Sequence, residues 1–311
     1  MESTHKGSLG IKLLSVFGGL LASMFFIGFM FMTVFDSPQV MSVLGVIILA
    51  GVLIIDKKSK SSVLDGACIG ATIAALTMIG TGLETTVKSD NLTAIVLLAI
   101  AILIPICSSG YVLNLIAVLL FNGCIFALIN INNQFILLHL MAPLLAAAYT
   151  YTSLYKFRIW SVGFLISFIA LLGFIGIDDI NKPGFIGNEW ISSVLIIVVV
   201  MILLNHIIRT LNIETQQSKV LIYAMTILLM LLSAFAPAIC GGLLILILSF
   251  HTSHRFGLIL GFISLIFFVG QYYYNMHFSL LIKSGIMVAT GVLFLTAWFI
   301  FKNTLKRYEQ N

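Results

Sequence analysis

Apolar residues fill this chain in long unbroken blocks separated by short polar breaks. The blocks cover 13–34, 40–55, 63–83, 92–106, 111–129, 134–155, 159–177, 190–211, 220–236, 238–250, 255–274 and 278–301. A membrane helix needs about 20 apolar residues. A barrel strand would instead alternate apolar and polar positions. Continuous apolar runs of this length predict an all-α fold, a polytopic transmembrane helix bundle of twelve spans. The runs 92–106 and 238–250 are short, so ten full spans with a half-hairpin is the alternative count. The first run follows Lys6 and Lys12, exceeds the core of a signal peptide, and has no small-residue cleavage site after it. It is expected to be an uncleaved first span.

The breaks carry turn chemistry. Asp36, Ser37 and Pro38 separate the first pair of runs, Ser108 to Gly110 the fourth and fifth, and Asn130 to Asn133 the fifth and sixth. Pro237, followed by Gly241 and Gly242, interrupts the long apolar stretch from 220 to 250. It either kinks one helix or starts another. Loops are too short for a soluble catalytic or nucleotide-binding domain. The expected organisation is a single integral membrane domain over 1–311.

Composition agrees with the pattern. Of 311 residues, 60% are hydrophobic and 9% charged, and mean hydropathy is +1.15. Soluble domains carry about 25% charged residues. A soluble fold, a nucleic-acid-binding domain and a disulfide-stapled module are therefore excluded. The net charge of +5 is explained by topology. With the N-terminus inside, alternation places Lys6, Lys12, Lys57, Lys58, Lys60, Lys156, Arg158, Arg209, Lys219, Arg255, Lys302, Lys306 and Arg307 on the inner side. Only Lys88 and Lys182 fall outside. This bias follows the positive-inside rule and predicts N-in/C-in. The partners expected from composition are the lipid bilayer and no nucleic acid.

No enzyme motif is present: no P-loop, HExxH, GxSxG or CxxC. Cys68, Cys107, Cys124 and Cys240 lack metal spacing and read as small apolar packers. No cofactor and no metal are expected, and no enzymatic activity. The candidates that remain are polar groups inside apolar runs, which are costly there.

Lys283 lies about five residues into the last run, roughly 8 Å deep at 1.5 Å per residue. It is either a snorkelling anchor or a cation facing a cavity, with Ser279 one turn away and His277 near. Tyr272, Tyr273 and Tyr274 end the eleventh run, and Asn275 follows. Tyrosines there suit an interfacial belt, but three in a row point in different directions, so at least one faces protein. Asp65 fits a capping box with Ser62, or a proton or cation site near the inner mouth. Asn122 and His139 sit at similar depth on adjacent runs and are placed to hydrogen-bond. Pro143, four residues after His139, cannot bond the His139 carbonyl. That leaves a backbone acceptor beside an imidazole, either interhelical glue or part of a transport pathway. Asn114 shares the Asn122 face. Gly66 with Gly70, and Gly257 with Gly261, permit close helix approach.

Residues 271–285 read Q-Y-Y-Y-N-M-H-F-S-L-L-I-K-S-G. This stretch resembles a family of uncharacterised bacterial inner-membrane proteins that end in a pattern like Y-Y-x-L-x-x-[ST]-L-L-x-K-S. Tyr273, Tyr274, Ser279, Leu280, Leu281, Lys283 and Ser284 match it, and Met276 replaces the usual Leu. The family is classified as a domain of unknown function. Its members resemble parts of a two-component set whose partner carries a Gly-Asp-Tyr-x-x-Leu-x-Tyr motif. The resemblance thus implies a bacterial cytoplasmic-membrane location and a membrane or periplasmic partner protein.

Three function classes fit: a membrane subunit that holds a partner in the cell envelope, a small secondary transporter, or an intramembrane enzyme on a lipid-linked substrate. The last needs an acid–base pair or metal at one depth, which His139 alone does not supply.

Overall fold

The computed structural model describes residues 9–34, 37–58, 62–108, 110–175, 189–212, 216–232 and 236–275. Beyond these it describes 281–282, 284–285, 288–289, 291–292 and 295–296, all helical. The described residues form helices joined by short turns, with no strand among them. The helices are α1 (Leu9–Val34), α2 (Pro38–Lys58), α3 (Ser62–Val87), α4 (Asp90–Cys107), α5 (Tyr111–Ile131), α6 (Ile136–Leu154), α7 (Arg158–Ile175), α8 (Glu189–Thr210), α9 (Gln216–Leu232), α10 (Pro237–His251) and α11 (Arg255–Asn275). Eight helices within this set are long and apolar enough to cross a membrane.

Burial is distributed as a bilayer solvent requires. Large apolar side chains point outward, among them Phe25, Leu144, Ile202 and Ile266. Polar side chains, including Thr72, His139, Ser192, Ser193 and Ser249, are fully enclosed. The hydroxyls of α3 return to their own helix. Thr72, Thr77, Thr81 and Thr85 each donate to the carbonyl four residues back. Hydrocarbon offers such groups no alternative partner.

Several turns close with a non-glycine residue in the left-handed region. Lys88, Asn133, Lys156, Asn212 and Ser253 have φ between 49° and 60°. Each follows a helix end at the position where that conformation stops a helix. Pro237 begins α10 after Ala236, whose backbone is non-helical (φ −128°, ψ 80°). It therefore opens a new helix, as proline does at a first position. The short run 92–106 is the core of α4, 18 residues long and about 27 Å at 1.5 Å per residue. That is close to the hydrocarbon thickness of about 30 Å.

The chain gathers into two compact units. Unit 1 holds residues 1–138 and 148–167, and unit 2 holds 139–147 and 168–311. In unit 1, α3 is the most enclosed of the spans, packed by α1, α2, α4 and α5. Small residues set the spacing. A Cβ on Gly45 would sit 2.8 Å from the Ala75 carbonyl oxygen, and one on Gly82 would sit 2.6 Å from the Pro38 carbonyl oxygen. A Cβ on Gly19 would strike the Gly66 backbone. Leu49, Val52, Cys68, Ala75, Ile79, Ile104, Leu113 and Ala117 form a core across α2 to α5.

In unit 2, α10 packs on α8 and α11. A Cβ on Gly241 would meet the Leu172 side chain and Phe168 of α7. One on Gly257 would meet the Ser249 hydroxyl, and one on Gly261 would lie 2.9 Å from Leu246. The Gly257–Gly261 pair thus serves packing inside this unit, as its spacing predicts.

Candidate functional site

His139 is in the first turn of α6 and is fully buried in unit 2. Its Nδ1 lies 2.8 Å from the hydroxyl oxygen of Ser192, near the start of α8. The same hydroxyl lies 3.4 Å from the His139 backbone carbonyl oxygen. That carbonyl would ordinarily accept the amide of residue 143. Pro143, inside α6, has no N–H to give. One serine thus meets both groups that the sequence places side by side, the ring and the carbonyl that lacks an amide at residue 143. The neighbouring Ser193 is also fully buried, and its hydroxyl has no partner among the described residues.

The same end of unit 2 holds a second polar contact. Gln271, near the end of α11, donates from Nε2 to the Gly173 carbonyl at 3.2 Å. Its Oε1 is buried and unpartnered among the described residues. Gly173 leaves the space for this contact, with the rings of Phe267 and Phe268 at 4.0 Å from where its Cβ would be. The end of α11 is thus tied to the end of α7, and the start of α6 to the start of α8.

Asn122 and His139 each find a partner close by. Asn122, buried in unit 1, donates from Nδ2 to the Val118 carbonyl at 2.9 Å and to the Ser167 hydroxyl at 3.2 Å. Asn114, two turns earlier, is buried with Oδ1 unpartnered among the described residues.

The tyrosine run lies at the end of α11. Tyr274 is 81% exposed and Tyr272 40%. Tyr273 is half-buried, and its ring meets that of Tyr274 edge-on with centroids 5.6 Å apart. Ser284 is exposed and donates to the Leu281 carbonyl at 2.9 Å. Lys283, Ser279 and His277 lie outside the described residues. Asp65 falls in the first turn of α3 and Asn275 ends α11, with their side chains outside the described set.

Unit 1 contains one acidic site that the sequence reading passed over. Asp56, near the end of α2, accepts from the Ser108 hydroxyl at 2.6 Å and from the Gly110 amide at 3.1 Å. At the opposite end of α4 and α5, the Asn132 side-chain amide donates to Asn91 Oδ1 at 2.9 Å. Each of these helices is thus tied at both ends.

The family model described as "Domain of unknown function (DUF4401)" matches residues 8–304. The chain belongs to this DUF4401 family. No curated protein and no solved structure matches it.

The DUF4401 match extends over all the residues just described, so both polar sites lie within the family's domain. The sequence singled out His139 and Pro143 but not Ser192, which lies 53 residues away. The available signal was the adjacent pair Ser192-Ser193 at the start of an otherwise apolar run. Asp56 was hidden because it adjoins Lys57 and Lys58 and so looks like part of a solvated charge cluster.

Proposed function

We propose that this DUF4401 chain is a non-enzymatic, multi-pass subunit of the bacterial cytoplasmic membrane that holds a partner protein of the cell envelope. In this reading it crosses the bilayer twelve times, with both termini inside. The observation that carries it is the end of α11. Tyr272 and Tyr274 turn outward there, next to the segment whose sequence resembles the family's two-component pattern. Aromatic side chains supply large contact area at low entropic cost and are enriched where proteins dock. The partner reading rests on that surface and on the resemblance.

The test is purification in mild detergent at native expression. A membrane or periplasmic protein should co-purify in stoichiometric amount. Replacing Tyr272 and Tyr274 together with Ala should lose it while the chain's membrane level holds. Recovery of the chain alone from wild-type cells would sink the subunit reading.

A second reading, a small secondary transporter, is favoured by a different observation: the buried His139–Ser192 contact beside Pro143. Buried polar groups at a helix irregularity are the material of transport sites. An intramembrane enzyme on a lipid-linked substrate ranks below both, since the chain carries no recognised enzyme motif.

A further inference from the structure

We propose that His139 is a proton-binding site, built so that Ser192 and the His139 carbonyl satisfy its Nδ1 in both protonation states without movement of a heavy atom. This deepens the transporter reading, on which it rests for what the proton would drive, by naming H⁺ as the coupling ion.

At Nδ1 the geometry supplies two hydrogen-bond patterns. With the ring neutral and its proton on Nε2, Nδ1 is an acceptor, and the Ser192 O–H donates to it over 2.8 Å. When one proton binds at Nδ1, that nitrogen becomes a donor, and Ser192 Oγ accepts from it. The serine's own hydrogen must then find another acceptor. The His139 carbonyl oxygen stands 3.4 Å from Oγ, and Pro143 leaves it without the usual helical donor. Rotation about one C–O bond exchanges the two patterns. The balance is one O–H bond of hydronium broken and one N–H bond formed at Nδ1, with a water molecule released and no change of oxidation state.

Among the described residues of unit 2, few charges lie near the start of α6 and α8. No Asp, Glu, Lys or Arg is among the buried side chains described. On α8 the ionisable residues are Glu189, one turn before Ser192 with its side chain outside the described set, and His206 and Arg209 towards the far end. On α10 they are Cys240, fully buried, and His251 at the far end. On α11 they are Arg255 at the far end and Tyr272 to Tyr274 at the near one. The described part of α7 in unit 2, residues 168–175, has none. A buried ionisable group inside a membrane span points to an ion or proton pathway.

The experiment is nitrogen and carbon NMR of the full chain in lipid nanodiscs with labelled histidine. The His139 signal is assigned by its loss in His139→Gln. Between pH 8 and pH 4 it should pass from singly to doubly protonated. Ser192→Ala removes the acceptor for the Nδ1 proton and should move the midpoint down by about one pH unit, a tenfold loss of proton affinity. Ser192→Thr keeps the hydroxyl and should restore the wild-type midpoint, which also guards against a misfolded alanine variant. A His139 signal that stays neutral over the whole range, or titrates identically in Ser192→Ala, overturns the proposal.

Proton flux into pyranine-loaded proteoliposomes separates the site from the transporter reading. A Ser192-dependent titration with greater flux in wild type than in His139→Gln supports both. The same titration with equal flux keeps the site and rejects the transporter reading. Absence of titration rejects the site whatever the flux.

Discussion

The carboxylate of Asp56 accepts the hydroxyl of Ser108 at 2.6 Å and joins the end of α2 to the turn between α4 and α5. The Gly110 amide completes the site at 3.1 Å, and a Cβ on Gly110 would collide with the carboxylate. Hydrogen bonds to a charged acceptor are about twice as strong as neutral ones. Asp56→Ala leaves the Ser108 hydroxyl and the Gly110 amide without it. It should lower stability by about 1–2 kcal/mol. Asp56→Asn keeps one acceptor and should cost less. Thermal unfolding in detergent, followed by retention on size exclusion, reads both. An unchanged melting temperature in Asp56→Ala would mean that the tie contributes nothing.

Close approach of α2 to α3 gives a second prediction. A Cβ on Gly82 would lie 2.6 Å from the Pro38 carbonyl oxygen and 2.9 Å from the Ser42 amide nitrogen. Both are backbone atoms and cannot swing away. Gly82→Ala should therefore destabilise by about 1–3 kcal/mol through overpacking. Gly51, also in α2, has nothing within 4 Å of its Cβ position. Gly51→Ala should be neutral or stabilising by up to about 1 kcal/mol, the helix-propensity difference. Equal melting temperatures for the two variants would contradict the packing account.

These two sites also mark how far a sequence reading reaches. The runs 111–129 and 40–55 reappear as the centres of α5 and α2, because an unbroken apolar run long enough to cross a bilayer has few other solutions. Pro237 left two solutions, and packing selected a fresh helix from Pro237 onward. The gap beside Pro143 was legible because a missing N–H is a property of one residue. Its occupant was not, because Ser192 arrives from another helix. Asp56 and Ser108 are likewise 52 residues apart. A pairing of that kind is decided by which helices become neighbours, and composition and periodicity carry no record of it.

Two histidines near the adjoining ends of α8 and α10 give a pH prediction. The rings of His206 and His251 meet edge-on with centroids 6.1 Å apart. His251 lies just past the apolar run 238–250. Burial, and then the neighbouring His206, lower its pKa from the ordinary 6.5. The unfolded chain thus binds a proton at this position more readily than the folded one. The sign follows by linkage: stability is fully present above pH 6.5 and falls as pH drops below it, until the folded form also protonates. Melting temperatures from pH 8 to pH 5 should show this fall. It should shrink in His206→Gln and vanish in its His251-dependent part in His251→Gln. A pH profile unchanged by either substitution would refute the assignment.

Membrane sidedness can be read at two exposed positions in unit 1. Lys58 ends α2, and Gln134 lies in the turn between α5 and α6. In the proposed topology α3, α4 and α5 all cross, so an odd number of crossings separates these residues. Lys58 then faces the cytoplasm and Gln134 the outside. The native cysteines Cys68, Cys124 and Cys240 are buried and Cys107 is half-buried, so wild type supplies a low background. A membrane-impermeant maleimide applied to intact cells should label Gln134→Cys, and Lys58→Cys only after permeabilisation. Labelling of both variants from the same side would make α4 re-entrant. It would reduce the number of crossings and reverse the sidedness of every loop that follows.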